Sequence, residues 1–270
     1  MKEYKVYEFE ISKEDFEILE EKLFSLGTLG IEVVSEEERV RFRAYFNGDI
    51  KLAKELSKYL VSESLLKEKN WNEEWKKYFK PVMVSEKIWV IPSWMKNDFK
   101  VPKGAIPIYI YPGQTFGTGT HETTKLTMRF IEKILKPNDS FLDVGCGSGI
   151  LSILAKKLGA KKVVGCDIQR EVVEEVKLNS NLNEVFGIEV IHGSIGDVKD
   201  EFDIVVSNIE KHLLEPLIPE IAKRAKKAVV LSGVLKKQRD SFKEVLKKRS
   251  GLKILEESGE GEWVAFLCRK

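Results

Sequence analysis

Three glycines at alternate positions, Gly145, Gly147 and Gly149 in Leu142-Asp-Val-Gly-Cys-Gly-Ser-Gly-Ile150, carry the clearest chemistry in this chain. Asp167 joins them, about 20 residues beyond Gly145. Glycines at this spacing let the backbone turn sharply and come close to a ligand, while the first turn of a following helix points N–H groups at it. A carboxylate closing the next strand can accept hydrogen bonds from both ribose hydroxyls of an adenosine. The dinucleotide fingerprint G-x-G-x-x-G wants a small third residue, and counting from Gly145 or Gly147 that place falls on Ile150 or Ser152. The G-x-G-x-G form present suits a ligand with an amino acid end and no pyrophosphate.

The elements that must position these residues follow from hydrophobic periodicity. Ser140 to Val144 reads as a strand buried on both faces, and Ile150, Leu151, Leu154, Ala155 and Leu158 recur at helical spacing. Lys162 to Asp167 is a second short strand ending in the acid. Strand, turn, helix, strand, acid is a far more specific series than a glycine motif alone. Leu142 to Gly149 with the distal Asp167 resembles the first two motifs of the S-adenosylmethionine-dependent methyltransferases.

Beyond Asp167 helix and strand alternate: Glu171 to Asn179, Ile188 to Ile191, Asp203 to Ser207, Glu215 to Ala225 and Ala228 to Leu231. That alternation predicts right-handed crossovers and a parallel sheet covered by helices. A helix near Gln238 to Lys248 is followed by Leu252 to Leu255 and Trp263 to Leu267, a closing antiparallel pair. Seven strands are available from Phe141 onward. Upstream, Tyr4 to Glu10, a helix over Phe16 to Leu26, strands at Leu29 to Ser35 and Val40 to Phe46, a helix from Asp49 to Tyr59 and an apolar segment near Val61 to Leu66 give the order β-α-β-β-α-β of a ferredoxin-like domain. The expected fold class is therefore α/β, a seven-stranded Rossmann-like domain with a small N-terminal α+β ferredoxin-like domain.

Three segments are expected: a binding domain over residues 1–66, a linker helix over 67–80, and the glycine-loop domain over 81–270. In the linker, Trp71, Trp75 and Phe79 form an aromatic stripe that reads better as a docking face than as a ligand site, and Pro81 ends the helix. Ile88 to Ile91 and Ile106 to Ile110 read as strands leading into a second glycine-rich loop, Tyr111 to Thr124, a candidate wall over the ligand.

Composition narrows the alternatives. The whole chain of 270 residues has a net charge of +2, but residues 1–66 hold 10 Lys and Arg against 15 Asp and Glu, a net of −5. That segment repels nucleic acid and attracts a basic protein. No apolar stretch reaches the roughly 20 residues needed to cross a bilayer, and the start has no signal-peptide pattern, so a cytoplasmic protein with no membrane role is expected. Cys146, Cys166 and Cys268 lack metal-type spacing and read as reduced, buried thiols. His121-Glu122 is half of H-E-x-x-H, but residue 125 is lysine, and with only His192 and His212 besides, no metal is expected. His121 is expected to pack or hydrogen-bond within its loop.

A closer resemblance rests on Phe116-Gly-Thr-Gly-Thr-His-Glu-Thr-Thr124, Leu142 to Ile150, Asp167, Ser207-Asn-Ile209 and Ser232-Gly-Val234. Together these look like the PrmA methyltransferases of large-subunit ribosomal protein L-eleven, from Trp71 to the end by motif and upstream by size and element order. The resemblance implies S-adenosylmethionine as cofactor, bound through positions matching Thr124, Gly145, Asp167 and Asn208, with Gly147 and Gly149 completing the turn. It also implies a mobile N-terminal domain that recognises the ribosomal protein, and trimethylation of its lysines and N-terminal amine. A monomer with no direct nucleic-acid role is expected. Two positions depart from the family: Tyr111 stands where Asp usually precedes Pro-Gly, altering the loop's anchoring, and Glu210 stands where Leu or a similar residue follows Asn-Ile.

Methyl transfer from a sulfonium is an in-line displacement that requires a neutral amine. Asn208, at a strand end, offers a carbonyl oxygen to an incoming amine N–H, or is a plain turn residue. Three other readings compete. An RNA methyltransferase shares the cofactor domain but is opposed by the acidic N-terminal segment. A cofactor-binding regulator without chemistry would need Asp167 and the glycines but not Asn208. An NAD-dependent oxidoreductase is disfavoured by Ile150 and by the lack of a proton-transfer histidine beyond His121.

Overall fold

The computed structural model describes residues 3–36, 38–48, 50, 54–67, 76, 79–111 and 117–270. The chain divides into two compact units, Met1–Phe79 and Lys80–Lys270.

The first unit runs β1 (Glu3–Ser12), α1 (Lys13–Ser25), β2 (Gly30–Glu36), β3 (Arg39–Phe46), α2 (Lys54–Ser57) and β4 (Leu60–Lys67). Its antiparallel sheet has the order β2-β3-β1-β4. Alternation decides which side is covered. Tyr7, Phe9 and Ile11 of β1 and Val40, Phe42, Ala44 and Phe46 of β3 are buried together with Leu19 and Leu23 of α1. Between them in sequence, Glu8 accepts hydrogen bonds from Arg41 at 2.5 Å and Arg43 at 3.1 Å. Of the helix expected over Asp49 to Tyr59, only Lys54–Ser57 forms α2 and Lys58 and Tyr59 form a turn instead; Asp49 and residues 51–53 lie outside the described residues. Trp71 and Trp75 also lie outside them, and Lys67, expected to open the linker, closes β4.

The second unit begins with a three-stranded sheet that hydrophobic periodicity did not separate from the main one: β5 (Val82–Met83), β6 (Ile88–Pro92) and β7 (Ile106–Ile110), in that order. Helix α3 (Glu122–Ile134) leads to β8 (Ser140–Val144), α4 (Ile150–Lys157), β9 (Lys162–Asp167), α5 (Val172–Leu182), β10 (Ile188–His192) and β11 (Phe202–Asn208). Then come α6 (Lys211–Leu214), α7 (Ile218–Arg224), β12 (Ala225–Leu235), α8 (Arg239–Arg249), β13 (Lys253–Glu260) and β14 (Trp263–Arg269). The main sheet has seven strands in the order β10-β9-β8-β11-β12-β14-β13. Strands β8 to β12 run parallel, and β14 lies antiparallel between β12 and β13.

Every residue of β8 is buried, the polar Ser140 and Asp143 along with Phe141, Leu142 and Val144. Phe141 enters one core with Leu126, Phe130, Ile131 and Leu154, while Leu142 and Val144 enter the other with Phe202, Leu214 and Phe266. Each fully buried side chain of this size contributes about 1.5–3 kcal/mol relative to exposure. The order reverses at β8: β9 and β10 extend to one side, β11 and β12 to the other. In open parallel sheets such a switch point leaves a crevice at the carboxyl ends of the strands, which positions Gly145 after β8 and Asn208 at the end of β11 on its rim.

The edge of β7 is closed by side chains. Asn183 accepts from the Tyr109 N–H at 2.8 Å and donates to the Tyr109 carbonyl at 2.6 Å. Asn179, four residues earlier on α5, accepts from the Tyr111 N–H at 3.0 Å, and Lys157 donates to the Pro107 carbonyl at 2.7 Å. Tyr111, one of the departures from the family pattern, is thus anchored through its backbone, with its ring edge-on to Trp94 at 6.4 Å. Among the described residues no helix is long and apolar enough to cross a membrane.

Candidate active site

The turn after β8 is built as its glycines demand: Gly145, Gly147 and Gly149 have φ of 74°, 47° and 78°, in the left-handed region that side chains disfavour. Gly145 also has no room for more, since a Cβ there would come within 2.5 Å of Ile209 Cγ2. The Gly145 and Cys146 amides donate to the Cys166 carbonyl at 2.9 and 3.2 Å, tying the turn to β9. Helix α4 starts at Gly149, which brings no side chain to cap its first amides. Those amides and the positive end of the helix dipole suit a ligand carboxylate.

Asp167, at the end of β9, is held by two backbone amides, Gly147 N–H at 3.0 Å to Oδ2 and Gln169 N–H at 3.0 Å to Oδ1. Each carboxylate oxygen has a second lone pair, so the group keeps the capacity to accept two ribose hydroxyls. Ile168, next in sequence, is 75 % exposed, an apolar surface that composition alone does not flag.

The structure brings Asn208 and Thr124 together. Asn208 Nδ2 donates to Thr124 Oγ1 at 3.3 Å, and Asn208 Oδ1 is buried without a hydrogen-bond partner. An orphaned buried acceptor costs about 1–3 kcal/mol, and retaining one at the rim of a crevice fits a site that a donor enters. Thr124 itself is fully buried in the first turn of α3. His121 caps that helix: its Nδ1 accepts from the Thr123 N–H at 3.3 Å, and its ring meets Trp263 edge-on at 5.1 Å. This is the packing role expected for it. Asn208 pairs in register with Ser232, so the Ser207-Asn-Ile and Ser232-Gly-Val segments lie side by side.

The second glycine-rich loop reaches the first. Gly117 accepts at its carbonyl from the Ser148 hydroxyl at 2.6 Å, and Asn179 donates to the Ser148 carbonyl at 2.9 Å. Residues 112–116 of that loop lie outside the described residues. Ser148 and Asn179 were missed in the sequence, although Asn179, Ser180 and Asn183 continue the buried face that Val172 and Val176 begin on α5. Polar residues on an apolar helical stripe are the signal that marks such links.

Beneath the turn, Asp143 is fully buried, with Oδ2 accepting from Ser152 Oγ at 2.8 Å and Oδ1 unpartnered. Burial pushes its carboxyl up to about 7, against the Ser152 hydrogen bonds, with the Asp167 charge adding to the rise. Cys146, Cys166 and Cys268 are free and buried, and burial pushes the Cys166 and Cys268 thiols up to about 12.

Comparison with known proteins bears on the family. The profile described as "Ribosomal protein L11 methyltransferase (PrmA)" matches residues 7–270. A ribosomal protein L11 methyltransferase of Clostridium botulinum (strain Eklund 17B / Type B) is 35% identical over 247 residues, 84% of this chain and 78% of the relative. One from Acetivibrio thermocellus is 36% identical over 267 residues, covering 90% and 81% of the two chains. The crystal structure of a ribosomal protein L11 methylase from Lactobacillus delbrueckii subsp. bulgaricus superposes with a TM-score of 0.66 at 32% identity, over 71% of this chain and all of that one. With a left-handed glycine turn at the switch point, an acid closing the second strand and a match of this extent, the chain belongs to the ribosomal protein L11 methyltransferase family.

Proposed function

We propose that this enzyme transfers methyl groups from S-adenosylmethionine to lysine side chains and the N-terminal amine of ribosomal protein L11, in the cytoplasm. The observation that carries the reading is the buried, unpartnered Oδ1 of Asn208 on the same crevice rim as the Gly145 turn. The residues fit the cofactor. The α4 amides suit its amino acid carboxylate, Asp167 its ribose hydroxyls, and the exposed Ile168 an apolar ring beside them. When bound, S-adenosylmethionine supplies a methyl group activated by a sulfonium.

The chain's own task is to deliver a neutral amine. A lysine in water titrates near 10.4, so it arrives protonated and must lose its proton before it can attack. A desolvated crevice disfavours the charged form, and no dedicated base is needed if water takes the proton. Asn208 Oδ1 accepts an N–H of the amine and so directs its lone pair, while Thr124 fixes the amide through Nδ2. Thr124, Gly145, Gly147, Gly149, Asp167 and Asn208 form the cofactor side, with Asn208 also meeting the amine. Residues 1–67 are assigned to recognition of the protein substrate, residues 68–79 to a tether, and residues 80–270 to the chemistry.

The test is incubation with methyl-labelled S-adenosylmethionine and ribosomal extract, followed by mass spectrometry of the labelled species. Label on amines of L11 is expected. Label in ribosomal RNA, or in no macromolecule, would overturn the reading.

A further inference from the structure

The backbone beyond Asn208 is fixed more tightly than a surface loop needs. Ile209 lies over the glycine turn, its Cγ2 within 2.5 Å of where a Gly145 Cβ would stand. On its other side the backbone of Gly233, at φ 89°, approaches so closely that a Cβ there would collide with the Ile209 carbonyl. Next, the Glu210 carbonyl accepts from the amides of Leu213 and Leu214, both at 3.0 Å, which locks the start of α6. The main chain of Glu210 is therefore held two residues past the orphaned amide of Asn208.

Its side chain is not spent on that local structure. Glu210 occupies the N-cap position of α6 but makes no side-chain cap hydrogen bond, and its carboxylate is 72% exposed. Lys211 turns instead to Glu215 at 3.0 Å. The side chain that the Glu210 carboxylate meets is the His212 ring, with Nδ1 at 3.4 Å and itself 71% exposed. An exposed carboxylate on a held backbone, two residues along the chain from a buried acceptor that awaits an N–H, is an arrangement for meeting a cation.

Resting on the reading above, we infer that Glu210 is a positioning residue for substrate charge: it attracts the protonated amine, or a second basic side chain flanking it, to the mouth of the crevice before the amine is desolvated against Asn208. Its charge assists encounter and orientation and takes no part in the displacement. Being exposed, it acts through a screened field, so the effect belongs to substrate capture and to low salt.

The experiment measures steady-state methylation of purified L11 by the full-length enzyme and its Glu210→Gln, Glu210→Asp and Glu210→Lys variants, at low and at high ionic strength. Binding of S-adenosylmethionine and thermal unfolding are followed in parallel. The expected result is a KM for L11 raised about two- to fivefold in Glu210→Gln and on the order of tenfold in Glu210→Lys at low salt, the scale of exposed charge pairs. Glu210→Asp restores most of the loss, kcat and cofactor affinity stay near wild type, and the differences shrink at high salt. Equal KM values for wild type, Gln and Lys at low salt overturn the inference while leaving methyl transfer standing. A loss that follows unfolding temperature rather than charge and salt also overturns it, since it marks a purely structural role at α6. Wild-type enzyme that binds cofactor but does not methylate L11 would sink the parent reading, and this inference with it.

Discussion

Asn208 and Thr124 share one hydrogen bond, Nδ2 to Oγ1 at 3.3 Å, and this orients an amide whose other end has no partner in the protein. Replacing Asn208 by Ala removes the acceptor. Turnover should fall about tenfold to a hundredfold, the loss of one well-placed hydrogen bond in the transition state, while cofactor affinity changes much less. Thr124→Val should lower turnover in the same direction by freeing the amide to rotate. Single-turnover rates at saturating cofactor decide the matter, and a normal rate in Asn208→Ala would remove its catalytic assignment.

Asp167 is pre-set by the Gly147 and Gln169 amides, so its carboxylate meets a ligand without reorganising. Asp167→Ala should weaken S-adenosylmethionine binding by about 1.5–3 kcal/mol, the range for hydrogen bonds to a charged group. Calorimetry with the cofactor, its demethylated product and NAD checks this. Unchanged affinity in the variant, or tighter binding of NAD, contradicts the assignment.

Asp143 makes stability depend on pH in a stated direction. The folded protein keeps this carboxyl protonated up to about pH 7, whereas the ordinary value is 3.8. Between these values the folded state holds the extra proton, so the Asp143 contribution to stability is full below about pH 4 and is lost as pH rises through about 7. Asp143→Asn should remove that dependence. Urea unfolding of wild type and variant should show a gap that moves in favour of the variant by on the order of a few kcal/mol from pH 4 to 7, then levels off. A gap constant with pH would contradict the burial argument.

Removal of residues 1–66 tests the division of labour. The glycine turns, Asp167, Thr124 and Asn208 all belong to the unit Lys80–Lys270, which has its own cores. The truncated enzyme should fold and bind cofactor yet fail to methylate intact L11. With a net of −5 on the removed segment, the full-length enzyme's substrate affinity should also weaken as salt is raised. Full activity of the truncated form would assign recognition to the catalytic unit.

Much of this architecture was legible because one signal dominated each element. Period-two alternation marked β1 and β3, short apolar-rich segments (Phe141, Leu142 and Val144; Val163 and Val164) marked β8 and β9, and glycine spacing marked the turn between β8 and α4. Boundaries drifted where flanking charges broke the pattern: β12 begins at Ala225 rather than Ala228, because Lys226 and Lys227 are exposed within the strand. Helix α6 was missed, since four residues are too few to show a period. The small sheet β5-β6-β7 could not be told from the main one, because local pattern says that a segment is a strand but not which strand it joins. In the site, Gly145 and Asp167 were legible from spacing, whereas the Asn208 to Thr124 contact spans 84 positions and exists only after folding.

The side chains along β7 have a consequence for how the protein behaves when concentrated. A bare strand edge is a template onto which another chain can add, copy after copy. Here the Pro107 carbonyl is taken by Lys157, both backbone groups of Tyr109 by Asn183, and the Tyr111 N–H by Asn179, so an incoming strand finds that row already filled. Two asparagines one helical turn apart thereby imitate the missing neighbour strand. Hydrolysis of the Asn183 amide to a carboxylate would set oxygen against the Tyr109 carbonyl and unseal the edge, so chemical ageing at this one residue would open the row to an added strand.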